Sequence, residues 1–382
     1  MTNSEEKRLL LVVDDAPANI QVVNSILKDD YRIRIATSGA KALDLANSSP
    51  APDLILLDIM MPEIDGYEVC ARLKASPRTR DIPVIFLTGK IEAEDETRGF
   101  RVGAVDYIHK PFSPPVVKAR VETHLMLRDA REQLARQLSV LNSELEMARE
   151  IQLSILPREA PKVDGLEIYA RYVPMRSVAG DFYDFIVVDP QHIGILVADV
   201  SGHGLPAALI ASMLQVALTA QHDHASQPGK VLSGLNRALC GKFQTNFVTA
   251  AYMFVDLRKR MLLYAGAGHP PMLMWSRSSA AVQEVCENGL VLGQFPQATY
   301  DSIEVQAGAG DRCLLYTDGI VEAQSPSSEE FGIDRLKEFL KSNSSLAGGP
   351  FAEKLLERLA RWCAHDNGES HSDDITLLTV SF

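Results

Sequence analysis

Cysteine is scarce in this chain, with five in 382 residues, at Cys70, Cys240, Cys286, Cys313 and Cys363. They are scattered, odd in number and include no CxxC pair. That argues against a disulfide framework or a thiolate metal site and fits a reducing, cytoplasmic setting. Long apolar runs are missing too. The longest, Leu205 to Ala220, contains Gln215 and falls short of the ~20 residues that span a bilayer. The N-terminal MTNSEEKRLLLVVDD holds only a short apolar run broken by acids, which is not a signal peptide. A basic excess is also lacking, since 38 Lys and Arg face 50 Asp and Glu, for a net charge of −12. No face is expected to track a phosphate backbone, so nucleic acid and membrane both drop out as partners. No internal repeat or low-complexity tract stands out.

Glycine and proline are absent between Val116 and Leu156, which predicts a helix of roughly 60 Å at ~1.5 Å per residue. Within it Leu134, Leu138, Leu141, Leu145, Ala148 and Ile155 follow a 4-3 alternation, with Gln152 at the intervening position. Upstream, Arg131 and His124 interrupt the seam, and Val117, Val121 and Leu125 can pack on the preceding domain instead. The stripe is narrow and the segment long, so residues 116–157 are expected to form a coiled-coil linker that pairs two copies into a homodimer. An amphipathic helix docked on its own chain is the plainer alternative. Pro157 ends it.

On either side the pattern changes. Apolar runs at Leu9–Val13, Ile33–Ala36, Leu54–Leu57, Val84–Leu87 and Val105–Ile108 alternate with helical stretches at Ile20–Leu27, Ala40–Ala46 and Tyr67–Lys74. This predicts a first α/β domain over 1–115, a doubly wound five-stranded parallel sheet with its site at the carboxyl ends of the strands. Residues 158–382 carry many strand-like runs: Leu166–Tyr172, Phe182–Val188, Ile193–Val200, Thr249–Asp256, Met261–Gly266, Arg312–Thr317 and Ile375–Val380. Only four helices accompany them, at Pro206–Ala220, Gly229–Phe243, Gly332–Lys341 and Phe351–Cys363. That reads as an α+β sandwich, two antiparallel sheets covered by helices.

In the first domain Asp14 and Asp15 follow the first strand, Asp58 the third, and Thr88 and Lys110 the fourth and fifth. Parallel strands bring these positions to one edge. Three carboxylates and one lysine suit Mg²⁺-assisted phosphoryl transfer, with Asp58 attacking and Lys110 and Thr88 holding the new charge. Any one such Asp is ordinarily a turn former or helix cap; the complete set is more specific. With VVDD at 12–15, LLDIMMPEIDG at 56–66, FLTG at 86–89 and DYIHKPF at 106–112, about 115 residues resemble the response-regulator receiver family. The resemblance implies Asp58 as phosphoacceptor from a sensor histidine kinase and Asp14, Asp15 and Asp58 around Mg²⁺. It also implies a cis Lys110–Pro111 peptide and Tyr107 as the switching ring beside Thr88.

The last domain contains GDFYD at 180–184, ADVSGHG at 198–204, GAGHPP at 266–271, YTDG at 316–319 and SDDIT at 372–376. Asp181, Asp199, Asp318 and Asp373 each stand at a strand edge. Hard oxygen donors without a Cys or His cluster favour Mg²⁺ or Mn²⁺ over zinc, and a pair of such ions suits hydrolysis of a phosphate ester. These motifs, with AREIQLSILP at 148–157, resemble the bacterial metal-dependent serine phosphatases of the sporulation protein E group, related to protein phosphatase type 2C. The resemblance implies Asp199 bridging two Mn²⁺ or Mg²⁺ ions, the Val200 carbonyl as a further ligand, and Asp181, Asp318 and Asp373 completing the site. Asp374 remains the alternative within its pair. Met175 and Ala179 depart from the family pattern without removing a ligand. Arg176 is a candidate for the substrate phosphate, though a plain surface arginine is the commoner case. His203 and His269 sit in glycine-rich motifs, where histidine is more often structural than catalytic.

The function implied is metal-dependent phosphoserine or phosphothreonine phosphatase activity on an anti-sigma-factor antagonist, controlled by phosphorylation of Asp58. The competing reading is a catalytically silent adaptor of the same fold. A cyclic-dinucleotide enzyme has little support, because no GGDEF-like or EAL-like run occurs.

Overall fold

The structure is a computed structural model that describes residues 7–89, 98–175, 178–243, 245–364 and 373–382. It divides into two compact units, Met1–Val140 and Leu141–Phe382. Arg176 lies outside the described residues.

The first unit is a five-stranded parallel sheet of β1 (Leu9–Val13), β2 (Arg32–Ala36), β3 (Leu54–Asp58), β4 (Val84–Thr88) and β5 (Asp106–His109), ordered β2-β1-β3-β4-β5. Every residue of β1, β3 and β4 is buried, because a parallel sheet is covered on both faces. Alternate residues serve different layers. Leu11, Val13, Ile55 and Phe86 pack with helices α2 (Gly39–Ala46) and α3 (Gly66–Ala75). Leu10, Val12, Leu56 and Ile85 pack with helix α1 (Pro17–Leu27) and with Val117, Val121 and Leu125.

Those last three residues belong to the long helix Pro114–Ile155, which starts two residues earlier than the glycine- and proline-free stretch suggests. Proline is tolerated there because the first-turn N–H groups have no intrahelical acceptor. The helix is tied to the sheet by polar contacts as well. Arg120 and His124 both reach Asp106 at the start of β5, and Arg128 donates to the Asp53 carbonyl at 2.7 Å. Leu127, Leu134, Leu138 and Leu141 of the same helix are each at least half exposed. No helix among the described residues is long and apolar enough to cross a membrane.

The second unit is a two-sheet sandwich. One sheet runs β13-β10-β9-β8-β7 with β14 also on β10, and the other runs β12-β11-β15-β16-β6. The strands are β6 (Glu167–Val173), β7 (Phe182–Asp189), β8 (His192–Val200), β9 (Val248–Asp256), β10 (Met261–Ala267), β11 (Met272–Ser276), β12 (Ala281–Val285), β13 (Asn288–Gly289), β14 (Ile303–Gln306), β15 (Arg312–Tyr316) and β16 (Ile375–Ser381). All pairings are antiparallel except the short β10–β13 contact.

Alternation again assigns the layers. Cys313, Leu315, Leu378 and Val380 join the core that also holds helices Leu205–Thr219 and Pro228–Leu239. Leu314, Tyr316, Ile375 and Leu377 face helices Gly332–Ser342 and Gly348–Cys363. Strands β11 to β14 are additions to the seven expected from the sequence.

Candidate functional site

In the first unit the carboxyl ends of β1, β3, β4 and β5 carry Asp14, Asp58, Thr88 and Lys110. Asp14, Asp15 and Asp58 each offer an oxygen within 4.8 Å of the others; among the described residues no other acidic, His or Cys triple is grouped this tightly. Asp14 is fully buried and oriented by the Ala16 N–H at 2.9 Å and the Asn19 side chain at 3.0 Å. Lys110 Nζ bridges Asp14 at 2.8 Å and Asp58 at 3.0 Å.

Burial pushes the Asp58 carboxyl up and the Asp14 charge adds to this, while the Lys110 hydrogen bond works against both. Burial alone would lower the Lys110 ammonium, but its two carboxylate partners outweigh that and its net shift is upward. Asp58 and Thr88 are buried, and a cavity of about 610 Å³ opens beside them, lined by Asp15, Met60, Pro62, Thr88 and Arg98. Tyr107 is buried with its ring against Phe86 and Phe100, at centroid distances of 5.5 and 5.2 Å. A Cβ on Gly99 would stand 1.7 Å from the Tyr107 hydroxyl, so glycine there makes room for the inward ring. The Lys110–Pro111 peptide is cis.

In the second unit antiparallel pairing collects the motifs at one end of the sandwich. Phe182 opposes Ala198, so Asp181 and Asp199 lie side by side at the ends of β7 and β8. Tyr316 opposes Leu377, so Asp318 and Asp373 come just beyond β15 and β16. Asp181 joins the two sheets: its Oδ2 accepts from Thr317 Oγ1 at 2.7 Å and Thr376 Oγ1 at 2.6 Å. Sequence reasoning missed both threonines as site residues. They sit inside the YTDG and SDDIT motifs, but a threonine ending an apolar strand reads as a strand residue.

Repulsion runs through this group. Asp181 is driven well above the ordinary carboxylate value by burial and then by the Asp199 charge, against its two hydroxyl donors. Asp199 is pushed up to about 7 by burial and then by Asp318, Asp373 and Asp374, with a hydrogen bond to Asp181 pulling the other way. Asp318 rises to about 6 through burial and the charges of Glu322 and Asp373. Four carboxylates that repel one another in a partly dry site are a donor set suited to hard divalent cations, which would relieve the repulsion.

The aspartate pair divides its contacts. Asp374 is buried and already accepts from the backbone N–H of Met175 and of Gly180, both at 2.8 Å. Asp373 is exposed and accepts from the Asp374 N–H at 2.8 Å. Two close approaches need glycine. A Cβ on Gly180 would meet the Val200 carbonyl oxygen at 2.7 Å, and one on Gly319 the Asp374 carbonyl oxygen at 2.0 Å.

His269 is buried, receives or donates a 2.9 Å hydrogen bond with Thr249, and is held by Asn288 at its backbone. Burial lowers its pKa to about 4, so it stays neutral, tied to β9 by Thr249 and to β13 by Asn288. His203 is exposed. Gln152, placed by its spacing on an intermolecular seam, is instead 5% exposed, its amide paired with the Ala179 backbone.

A doubly wound domain whose strand ends hold three carboxylates and a lysine, joined to a sandwich with a ring of aspartates, defines a receiver fused to a phosphatase-type domain. The chain belongs to the Stage II sporulation protein E (SpoIIE) family, whose model matches residues 189–382, and residues 10–122 match the response regulator receiver domain. The first match includes Asp199, Asp318 and Asp373 and begins after Asp181. Phosphoserine phosphatase RsbU of Bacillus subtilis is 33% identical over 186 residues, 48% of this chain and 55% of that one. A probable cyclic di-GMP phosphodiesterase of Vibrio cholerae is 48% identical over 136 residues, 36% of this chain and 31% of that one. The chain thus spans between 31% and 55% of the length of these two relatives. The SiaA-PP2C domain of Pseudomonas aeruginosa shares the fold, with a TM-score of 0.58 at 24% identity over 65% of this chain and 99% of that one.

Proposed function

We propose that this chain is a response regulator whose output is hydrolysis of phosphoserine or phosphothreonine in a protein, under the control of Asp58. The observation that carries the reading is the Asp181–Asp199 pair. Strand register sets these carboxylates side by side and two threonine hydroxyls fix Asp181, although the Asp199 charge raises Asp181 and the charges of Asp318, Asp373 and Asp374 raise Asp199. Such an arrangement costs stability unless a cation offsets it.

Asp199, Asp181, Asp318, Asp373 and the Val200 carbonyl are the residues that would hold two Mn²⁺ or Mg²⁺ ions. When bound, these ions would supply charge neutralisation and an activated water at the phosphate ester. Thr317 and Thr376 orient Asp181, and Asp374 holds the backbone N–H groups of Met175 and Gly180. In the receiver, Asp14 and Asp15 would hold Mg²⁺ with Asp58, which takes the phosphoryl group from a sensor histidine kinase. Lys110 screens the incoming charge, and Thr88 with Tyr107 forms the responsive pair.

The substrate we assign is a phosphorylated anti-sigma-factor antagonist in the cytoplasm, on the likeness to phosphoserine phosphatase RsbU and the family membership. The exposed leucines of the long helix, from Leu127 to Leu141, support a homodimer built on that segment.

The test is Mn²⁺-dependent hydrolysis of p-nitrophenyl phosphate and of a phosphoserine protein, by the full chain and by Asp199→Ala, with and without beryllofluoride on Asp58. Turnover lost in the variant and changed by beryllofluoride is the expected result. Absence of turnover on both substrates, with partner binding retained, replaces the enzyme by the adaptor.

A further inference from the structure

Gln152 lies on the face of the long helix that meets the sandwich, four residues before Leu156, which is 7% exposed in the sandwich core. On such a face a leucine or methionine would satisfy packing, so a buried amide calls for a reason. Its partners supply one. Nε2 donates to the Ala179 carbonyl at 2.6 Å, and Oε1 accepts from the Ala179 N–H at 3.0 Å. Both functions of the amide thus serve the backbone of one residue, as a neighbouring strand would. Ala179 precedes β7 and makes none of the ladder pairings of that strand.

The next two residues are gripped from the other side, Gly180 N–H by Asp374 at 2.8 Å and Asp181 by Thr317 and Thr376. Ala179-Gly180-Asp181 is therefore fixed at three consecutive residues. Two of these grips come from beside β15 and β16 and one from the helix. The clearance is small, because a Cβ at Gly180 would already stand 2.7 Å from the Val200 carbonyl oxygen. A shift of Ala179 cannot be absorbed at Gly180 without moving Asp181 relative to Asp199.

We propose that Gln152 is a positioning residue for the carboxylate ring: its amide sets the place of Asp181, and movement of the last helical turns reaches the ring through it. This deepens the reading of Asp181, Asp199, Asp318 and Asp373 as a divalent-cation site and rests on it. Gln152 touches no substrate; it acts through the Ala179 backbone. Gln152→Leu keeps the volume and removes both hydrogen bonds, whereas Gln152→Glu keeps the acceptor for the Ala179 N–H and loses the donor.

The experiment measures Mn²⁺ bound to the full-length chain by the electron paramagnetic resonance signal of free Mn²⁺. Asp199→Asn defines the Mn²⁺ taken up elsewhere, including at Asp14, Asp15 and Asp58. Melting of each chelated protein is followed alongside. Gln152→Leu is expected to weaken the Asp199-dependent binding ~10-fold or more, the usual effect of losing a residue that orients a ligand. Gln152→Glu should weaken it less, and turnover should recover in both at saturating Mn²⁺. Wild-type affinity in Gln152→Leu overturns the positioning role while leaving the phosphatase reading intact. Should Gln152→Leu fail to fold, Gln152→Glu decides: unchanged affinity in it overturns the proposal. If wild type and Asp199→Asn bind Mn²⁺ alike, the cation site and the role of Gln152 fall together.

Discussion

Replacing Asp199 by asparagine should make the chelated protein more stable while abolishing its chemistry. Asp199 is held near 7 by burial and by the charges of Asp318, Asp373 and Asp374. The gap to an ordinary aspartate is worth on the order of 4 kcal/mol. That is a ceiling, because the repulsion is shared among several groups; about half, ~2 kcal/mol, is a reasonable expectation. The sign follows from linkage. A carboxyl whose folded pKa is raised contributes stability that is fully present below its unfolded pKa and is lost as pH rises through about 7. Chelated wild type should therefore melt progressively lower between about pH 5 and pH 8. Asp199→Asn, which removes that charge from the group, should show a flatter profile and exceed wild type at alkaline pH. For a unit of this size ~2 kcal/mol corresponds to roughly 4–8 °C. Mn²⁺ at ~100 times its dissociation constant should then reverse the order, stabilising wild type by about 2.7 kcal/mol and leaving the variant unmoved. Differential scanning calorimetry across pH, with chelator and with Mn²⁺, reads all of this. If Asp199→Asn melts below chelated wild type by the same margin at pH 5 and pH 8, repulsion within the ring is not the controlling term and the argument fails.

The remaining predictions concern the supports of each site. The double variant Thr317→Val, Thr376→Val strips both hydroxyls from Asp181 and should cost about 2–4 kcal/mol in the Mn²⁺-loaded protein; urea titration with a midpoint unchanged from wild type would refute it. Gly180→Ala places a methyl 2.7 Å from the Val200 carbonyl oxygen, and hydrolysis of p-nitrophenyl phosphate should fall at least ~100-fold with the circular dichroism spectrum retained. Lys110→Met removes the cation between Asp14 and Asp58 and should destabilise the receiver by roughly 2 kcal/mol at neutral pH, since the ammonium is partly exposed and screened. The penalty should shrink in acid as Asp58, whose carboxyl burial pushes up, takes a proton, and chemical denaturation at neutral and at acidic pH distinguishes these cases. Leu134→Glu with Leu138→Glu places charges on the exposed stripe and should convert a dimer to monomer in sedimentation experiments; a mass unaffected by the pair removes the helix from the dimer interface.

Much of the fold is written in the apolar runs. The receiver strands fall within one or two residues of expectation because a strand covered on both faces must be near-continuously apolar, as LLLVV is and as LILLD and VIFLT are up to their last residues, Asp58 and Thr88. In the sandwich the central strands announce themselves for the same reason, whereas β11 to β14 do not. Met272–Ser276 follows two prolines, Ala281–Val285 is mostly exposed, and Asn288–Gly289 is a two-residue contact. Strands β12 and β13 are edges, which need only one buried residue in two, and β11, though interior, is five residues long, so these patterns are too short to separate from a loop. The aspartates were legible because each stands at or next to one end of an apolar strand, within a short acidic or glycine-containing motif. Thr317, Thr376 and Gln152 were not, since the groups they bind lie 136, 195 and 27 residues away. The division of contacts between Asp373 and Asp374 turns on which side chain faces the Met175 and Gly180 amides, and an identical pair of letters carries no such information.

The long helix shows how one periodicity can serve several environments. Its first apolar positions, Val117, Val121 and Leu125, are buried in the receiver layer beside α1, and the polar residue that breaks the heptad there, His124, is bonded to Asp106. Its last, Gln152, breaks the heptad again and is bonded to Ala179. Between these two breaks Leu127, Leu134, Leu138 and Leu141 stay exposed, as does Arg131, which interrupts the seam without being buried. A polar residue inside an apolar seam usually lowers the stability of a coiled coil. Here the breaks at His124 and Gln152 mark stretches where the helix has a partner in its own chain, a hydrogen-bonding group that a second helix need not offer. Leu134, Leu138 and Leu141 are the positions left for such a helix. The boundaries of an intermolecular segment can then be sought in a sequence by asking where a heptad fails in favour of a residue that hydrogen-bonds, and not only where it fails.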